Sequence, residues 1–141
     1  MKFTNKTLIF VYGTLKNGKR LHSILGESCD FITACTTRYK KFDMINFDDN
    51  FPIVCFKDDG YKIKGELYSI TPETMERINA IEGGAGYIPY IVEVEIPEET
   101  KEYRGWWHKA IIYMYPRCNY YIFPNFNKEI KSKKGIKEWT Q

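Results

Sequence analysis

Leu8-Ile9-Phe10-Val11-Tyr12 is an unbroken apolar run that stops at Gly13. β-Favouring residues with no polar alternation predict a strand buried on both faces. Gly13 lets the backbone turn with no Cβ in the way of a ligand. The N–H groups that follow, through Thr14 and Leu15, can form an anion-binding nest. The polar stretch Lys16-Asn17-Gly18-Lys19-Arg20 comes next. Taken alone, this pattern also fits the strand and turn of an ordinary sheet.

The rest of the composition narrows the class. A chain of 141 residues with 43% hydrophobic and 16% aromatic content predicts one domain with a real core. Its 11 Tyr and 9 Phe favour strands over a helical bundle. A net charge of +3 calls for neither nucleic acid nor an anionic membrane. No run approaches the roughly eighteen apolar residues of a membrane span. Residues 1–6 lack a signal peptide's apolar core, so a cytoplasmic location is expected. Cys29, Cys35, Cys55 and Cys118 form no C-x-x-C, and the only histidines are His22 and His108. No metal site is indicated, and reduced, mostly buried thiols are expected.

Along the chain, Leu21, Ile24 and Leu25 predict a short helix stopped by Gly26. Residues 29–42 read as extended and 48–50 as a loop. Residues 51–56 read as a strand entered through Pro52, which suits an edge or a strand start. Asp58-Asp59-Gly60 predicts a hairpin turn, followed by a strand with Ile63, Gly65 and Leu67 on one face. Gly65 there implies a bulge or a close backbone contact. Thr71 is an N-cap, Pro72 fits N1, and a helix follows through Met75, Ile78 and Ile81 to Gly83-Gly84. Residues 87–96 and 106–115 are further strands, with a charged loop over 97–104. The domain is drawn at 1–126. Residues 127–141 form a basic tail with Lys128, Lys131, Lys133, Lys134 and Lys137, expected as a solvated arm or frayed helix.

Glu82 interrupts the helix pattern. At about 100° per residue measured from Met75, Ile78 falls at about 300° and Glu82 at about 340°. The carboxylate therefore lies inside the apolar stripe, where it must be neutral, paired or functional. Burial and the negative helix end both push its pKa up. A glutamate poised nearer neutrality can take a proton and return it. A turn cap or a pairing with a basic residue is the structural alternative.

Val11-Tyr12-Gly13-Thr14-Leu15-Lys16-x-Gly18-x-x-x-His22 resembles the signature loop of the γ-glutamylcyclotransferase-like superfamily. Within it, the chain is most similar to the γ-glutamylamine cyclotransferases, the AIG2-like subgroup. The likeness extends through Phe51-Pro52, Gly65-Glu66-Leu67-Tyr68, Glu82, Tyr87 and the strand ending near Tyr115. It implies an α+β fold: a small mixed β-barrel with flanking short helices and a pocket at one barrel end. It implies Glu82 as catalytic residue and Tyr12, Gly13, Thr14 and Leu15 as the substrate-binding loop, with Tyr87 and Tyr115 lining the pocket. Tyr113 competes with Tyr115 for that position. His22 is expected to pack against the loop rather than act in catalysis. Pro89 stands where the family often has a basic residue, which bears on substrate choice.

The implied reaction is intramolecular. The α-amine of a γ-glutamyl amine attacks its own γ-carbonyl, releasing 5-oxoproline and a free amine. Glu82 serves as general acid and base, and neither metal nor organic cofactor is called for. The expected partner is a small γ-glutamyl substrate. Two alternatives stay open: a catalytically silent binding module of the same fold, and a tailoring enzyme that removes a γ-glutamyl protecting group. Oligomeric state is not legible in the sequence.

Overall fold

A computed structural model describes residues 7–16, 18–19, 22–26, 29–47, 51–97, 107–117 and 127–140. In chain order the strands are β1 (Thr7–Val11), β2 (Asp30–Thr37), β3 (Phe42–Phe47), β4 (Phe51–Phe56), β5 (Lys62–Ile70), β6 (Ile88–Glu95), β7 (Trp107–Met114), β8 (Asn127–Glu129) and β9 (Ile136–Lys137). Helix α1 (Pro72–Gly84) joins β5 to β6, and a 3-10 turn spans His22–Leu25.

Five strands close into a barrel in the order β1-β7-β6-β2-β5, with β5 returning to β1. β1 runs antiparallel to β5 from Thr7↔Ile70 to Val11↔Glu66, and parallel to β7 at Ile9↔Ile111. The remaining barrel pairings are antiparallel, so the barrel is mixed. At Gly65 a Cβ would lie 2.3 Å from the Val11 carbonyl oxygen and 2.8 Å from Phe10 Cζ. Glycine is what lets β1 cross β5 this closely.

The apolar run of β1 is buried on both faces, as its pattern predicts. Phe10 and Tyr12 join Leu67, Val94, Ile112 and Met114 in one cluster. Ile9 and Val11 face the other way and pack with Ile70, Ile78 and Tyr113. Ile78 brings α1 onto this second cluster, so β1 has the barrel core on one side and the helix on the other. The helix starts as expected: Thr71 Oγ1 accepts from the Thr74 N–H at 3.3 Å, and Pro72 opens the first turn.

A second sheet, β4-β3-β8, contributes Phe42, Met44 and Val54 to the barrel-side cluster. Its strands β3 and β8 are elements the sequence pattern did not mark. Pro52 sits on the edge strand β4, where a missing N–H costs least. The turn at Asp58-Asp59 forms, with Asp59 at φ 52°, yet it joins no hairpin. β4 pairs with β3, and β5 pairs with β1, β2 and β9, so the turn passes the chain between sheets.

Residues 127–140 are neither a solvated arm nor a frayed helix. β8 pairs with β3, and β9 runs parallel to β5. Trp139 is 4% exposed, and Lys137 Nζ reaches buried Asp43 at 2.8 Å. The lysines hid Trp139, which joins the barrel-side core cluster, and Ile130, which packs against that cluster. The cysteine expectation also fails in part. Cys55 is disulfide-bonded, while Cys29 and Cys35 are in no disulfide. The expectations for Leu21, residues 48–50, most of the 97–104 loop, Trp106 and Cys118 lie outside the described residues.

Candidate active site

β1 delivers Tyr12 to the end of the barrel, and the chain then turns. The Lys16 N–H closes that turn on the Gly13 carbonyl at 3.0 Å. Gly13 is dictated by packing: a Cβ would meet Pro52 Cγ at 2.7 Å and Cδ at 2.9 Å. The close neighbour is thus the Pro52 ring of β4, where the sequence reading had put a ligand. His22 Nδ1–H donates to the Leu15 carbonyl at 2.9 Å, bracing the loop from behind. The N–H groups of Gly13, Thr14 and Leu15 bond no protein acceptor among the described residues. Oriented amides of this kind suit an anion or a polarised carbonyl oxygen.

These residues line a cavity of about 170 Å³ together with Phe51, Pro52, Ile81, Glu82, Ala85, Tyr87 and Tyr113. Glu82 enters from the last turn of α1, one turn beyond buried Ile78. The helix ends in a Schellman motif. The Tyr87 N–H donates to the Glu82 carbonyl at 2.9 Å and the Gly86 N–H to the Gly83 carbonyl at 3.1 Å. Gly86 supplies the left-handed residue at φ +91°. One short motif therefore fixes both Glu82 and Tyr87 at the cavity. Burial pushes the Glu82 carboxyl up to about 7. Desolvation is the cause of that shift.

Three tyrosines line the cavity beside the carboxylate, a fourth, Tyr115, lies outside it, and their hydroxyl protons are spoken for. Tyr12 donates to the Tyr113 carbonyl at 2.5 Å, Tyr87 to the Pro52 carbonyl at 2.8 Å, and Tyr115 to the Ala85 carbonyl at 2.6 Å. Tyr113 donates to Asn79 Oδ1. None of these protons goes to Glu82. Burial raises Tyr12 well above its usual pKa, helped by the charges of Tyr87 and Glu82. Burial and then the Glu82 charge push Tyr113 up to about 12. The Tyr12 and Tyr113 hydroxyls thus stay protonated at neutral pH. A carboxylate facing cavity-lining tyrosine oxygens whose protons are engaged elsewhere suits a cationic or neutral amine.

Residues 9–140 match the family described as gamma-glutamyl cyclotransferase, AIG2-like. The chain belongs to this family. A provisionally named γ-glutamylcyclotransferase of Arabidopsis thaliana is 31% identical over 87 residues, which are 55% of this chain and 44% of that one. The chain thus matches less than half the length of this plant relative. A provisionally named γ-glutamylcyclotransferase of Pyrococcus horikoshii is 36% identical over 94 residues, 62% of this chain and 70% of the other. Its crystal structure superposes with a TM-score of 0.57 at 31% identity, covering 79% of this chain and 80% of that one. An AIG2-like protein from Mus musculus gives a TM-score of 0.71 with 97% of both chains covered, and at 18% identity it speaks for the fold alone.

In this AIG2-like chain, Tyr12, Gly13, Thr14, Leu15, Glu82 and Tyr87 all line one cavity. Tyr115 does not. It stacks on Tyr87 with ring centroids 4.6 Å apart, and Tyr113 takes the place on the wall. The end of β7 decides between them: residues two apart on one strand share a face, but Tyr113 lies within β7 and joins the helix-side cluster, whereas Tyr115 lies beyond its last residue, Met114. The sequence reading missed Asn79, whose amide holds the Tyr113 hydroxyl. Its position three residues before Glu82, on the same helix face, is the signal that could have found it. Phe51 and Ile81 complete the apolar wall, and no pattern in the sequence marks them for it.

Proposed function

We propose that the chain is a γ-glutamylcyclotransferase that acts on γ-glutamyl amines, with Glu82 as general acid and base. The observation that carries this reading is a desolvated carboxyl, raised to about 7, in the same small cavity as the Gly13–Leu15 amides. The names of the relatives support cyclotransferase chemistry. The amine subclass rests on the loop pattern from Tyr12 to His22. The cavity is smaller than the roughly 300–1,000 Å³ of drug-sized pockets, which suits a glutamyl group with its amine at the mouth.

In the proposed sequence, the substrate α-ammonium gives a proton to the Glu82 carboxylate. The freed nitrogen attacks the γ-carbonyl carbon, forming the lactam C–N bond. Charge develops on the carbonyl oxygen, where the loop amides can stabilise it. The bond to the departing nitrogen then breaks as protonated Glu82 donates to it. Overall the α-nitrogen loses two protons and the departing nitrogen gains two, so atoms and charge balance. Holding the flexible glutamyl chain in its attack geometry supplies part of the acceleration. The nucleophile belongs to the substrate, so no cysteine or serine nucleophile is needed and no cofactor enters a step.

The test is 5-oxoproline release from γ-glutamyl-ε-lysine, simple γ-glutamyl amines, γ-glutamyl-α-amino acids and glutathione. Glu82→Gln should lose about 10²–10⁴-fold in rate with the fold intact. For the wild type, kcat/KM should rise with pH through about 7 as the base ionises. Full activity in Glu82→Gln would remove the acid–base role. A wild type that binds a glutamyl ligand but releases nothing would be a silent binding module. Turnover confined to one specialised amine would mark a tailoring enzyme.

A further inference from the structure

The cavity-lining loop is gripped by the returning segment that carries Trp139. Lys16 is only 6% exposed, although it follows the loop directly. Its ammonium donates to the Trp139 carbonyl at 2.7 Å, a contact spanning 123 residues of sequence. Burial lowers the Lys16 pKa below its ordinary value, and the charges of Glu138 and Glu66 only partly offset this by favouring the ammonium form. The Trp139 ring lies 4.0 Å from where a Gly13 Cβ would stand, on a loop residue whose near neighbour is otherwise the Pro52 ring. Lys19 Nζ sits 5.5 Å from the centroid of the same ring. Trp139 Nε1 donates to Asn46 Oδ1 of β3 at 3.2 Å.

Burying an ammonium is costly unless it is hydrogen-bonded, so this contact must serve a purpose that a surface lysine would not. Backbone amides stabilise developing charge only when their orientation is set beforehand. Nothing in the sequence of the loop itself is rigid enough to set it, since Gly13 and Gly18 flank the turn. We propose that residues 136–139 form a clasp that holds the Gly13–Lys16 loop in its donor-presenting shape, with Trp139 and Lys16 as positioning residues. The catalytic consequence rests on the reading of this loop as the glutamyl site. The clasp itself does not. β9 and the Lys137–Asp43 pair anchor the clasp to the barrel and to the second sheet, so loop geometry depends on the far end of the chain.

The experiment uses the full chain carrying Trp139→Ala, Trp139→Phe or Lys16→Met. Amide hydrogen exchange is compared at residues 16 and 19, whose N–H groups bond the Gly13 and Lys16 carbonyls, and, as a control, at Ile9 and Leu67 in the barrel. Trp139→Ala and Lys16→Met should speed exchange at these two bonded loop amides about tenfold or more while the barrel amides are unchanged. They should lower kcat/KM for 5-oxoproline release by a similar factor without moving its pH inflection. Trp139→Phe, which keeps a ring against Gly13, should restore most of both. Unchanged exchange in the loop overturns the clasp, whatever the activity. Loosened exchange with wild-type kcat/KM overturns the positioning role. Should Trp139→Ala unfold the barrel, Lys16→Met leaves the ring in place and decides by the same readouts. If the wild type turns over no γ-glutamyl compound, the proposed function fails, and the exchange data still judge the clasp.

Discussion

Glu82 is a carboxyl that the fold holds at a cost. Its pKa is raised above the ordinary value of 4.5 to about 7, so the native state binds a proton that the unfolded chain releases between those two pH values. Stability from this group is therefore fully present below pH 4.5 and is lost as pH rises through about 7. The loss amounts to at most about 3 kcal/mol. Glu82→Gln should consequently stabilise the protein at pH 8 and leave it unchanged at pH 4, as read by denaturant unfolding at each pH. Equal effects at both values would mean that burial does not disfavour the charge. The same substitution slows the proposed chemistry about 10²–10⁴-fold, which is the usual trade between a functional site and stability. Asn79 belongs to this scale too, because it decides which way the Tyr113 proton points.

The end of α1 is the element on which the site turns. Its start could be read residue by residue, since Thr71 and Pro72 satisfy local rules that need no tertiary partner. Its end was half legible. Gly83 and Gly84 stand inside the last turn, and the left-handed position falls to Gly86. A Schellman motif has an apolar and a backbone component, and only the folded chain tells which of three nearby glycines completes it. At Gly86, a Cβ would also lie 3.1 Å from the Tyr115 ring. Gly86→Ala should cost about 1–2 kcal/mol for the left-handed backbone alone. It should also disturb the Tyr87–Tyr115 stack, measurable as a lower denaturation midpoint with a changed tyrosine near-ultraviolet signal.

On the scale of the whole molecule, the returning C-terminal segment joins the two sheets. Lys137 lies 3% exposed against Asp43, which is 4% exposed. The partners are unequally provided for. Without Lys137, Asp43 keeps the Met44 N–H at 2.8 Å and Lys57 Nζ at 3.9 Å. Without Asp43, Lys137 keeps the Met44 carbonyl at 3.5 Å and the face of Tyr61 at 4.4 Å. Removing one member of a buried pair costs about 3–5 kcal/mol when the other is left uncompensated. Asp43→Ala should therefore approach that cost and Lys137→Met should fall clearly below it, as measured by urea unfolding. Equal losses would mean that the remaining contacts contribute nothing.

Local chemistry determined much of this protein before any fold was known. The twofold burial of β1, the helix start at Thr71, the inward angle of Glu82 and the loop from Tyr12 to Leu15 all rest on spacing within a few residues, and periodicity records such facts. The structure alone decided that Asp58-Asp59-Gly60 crosses between sheets and that Tyr113 replaces Tyr115 on the cavity wall. It alone decided that the lysine-rich end folds back over Gly13. Each of these depends on a partner far away in sequence. A turn looks the same whether the strands beside it pair or part. A lysine looks solvated until the fold puts a buried aspartate 94 residues away within 2.8 Å of its nitrogen.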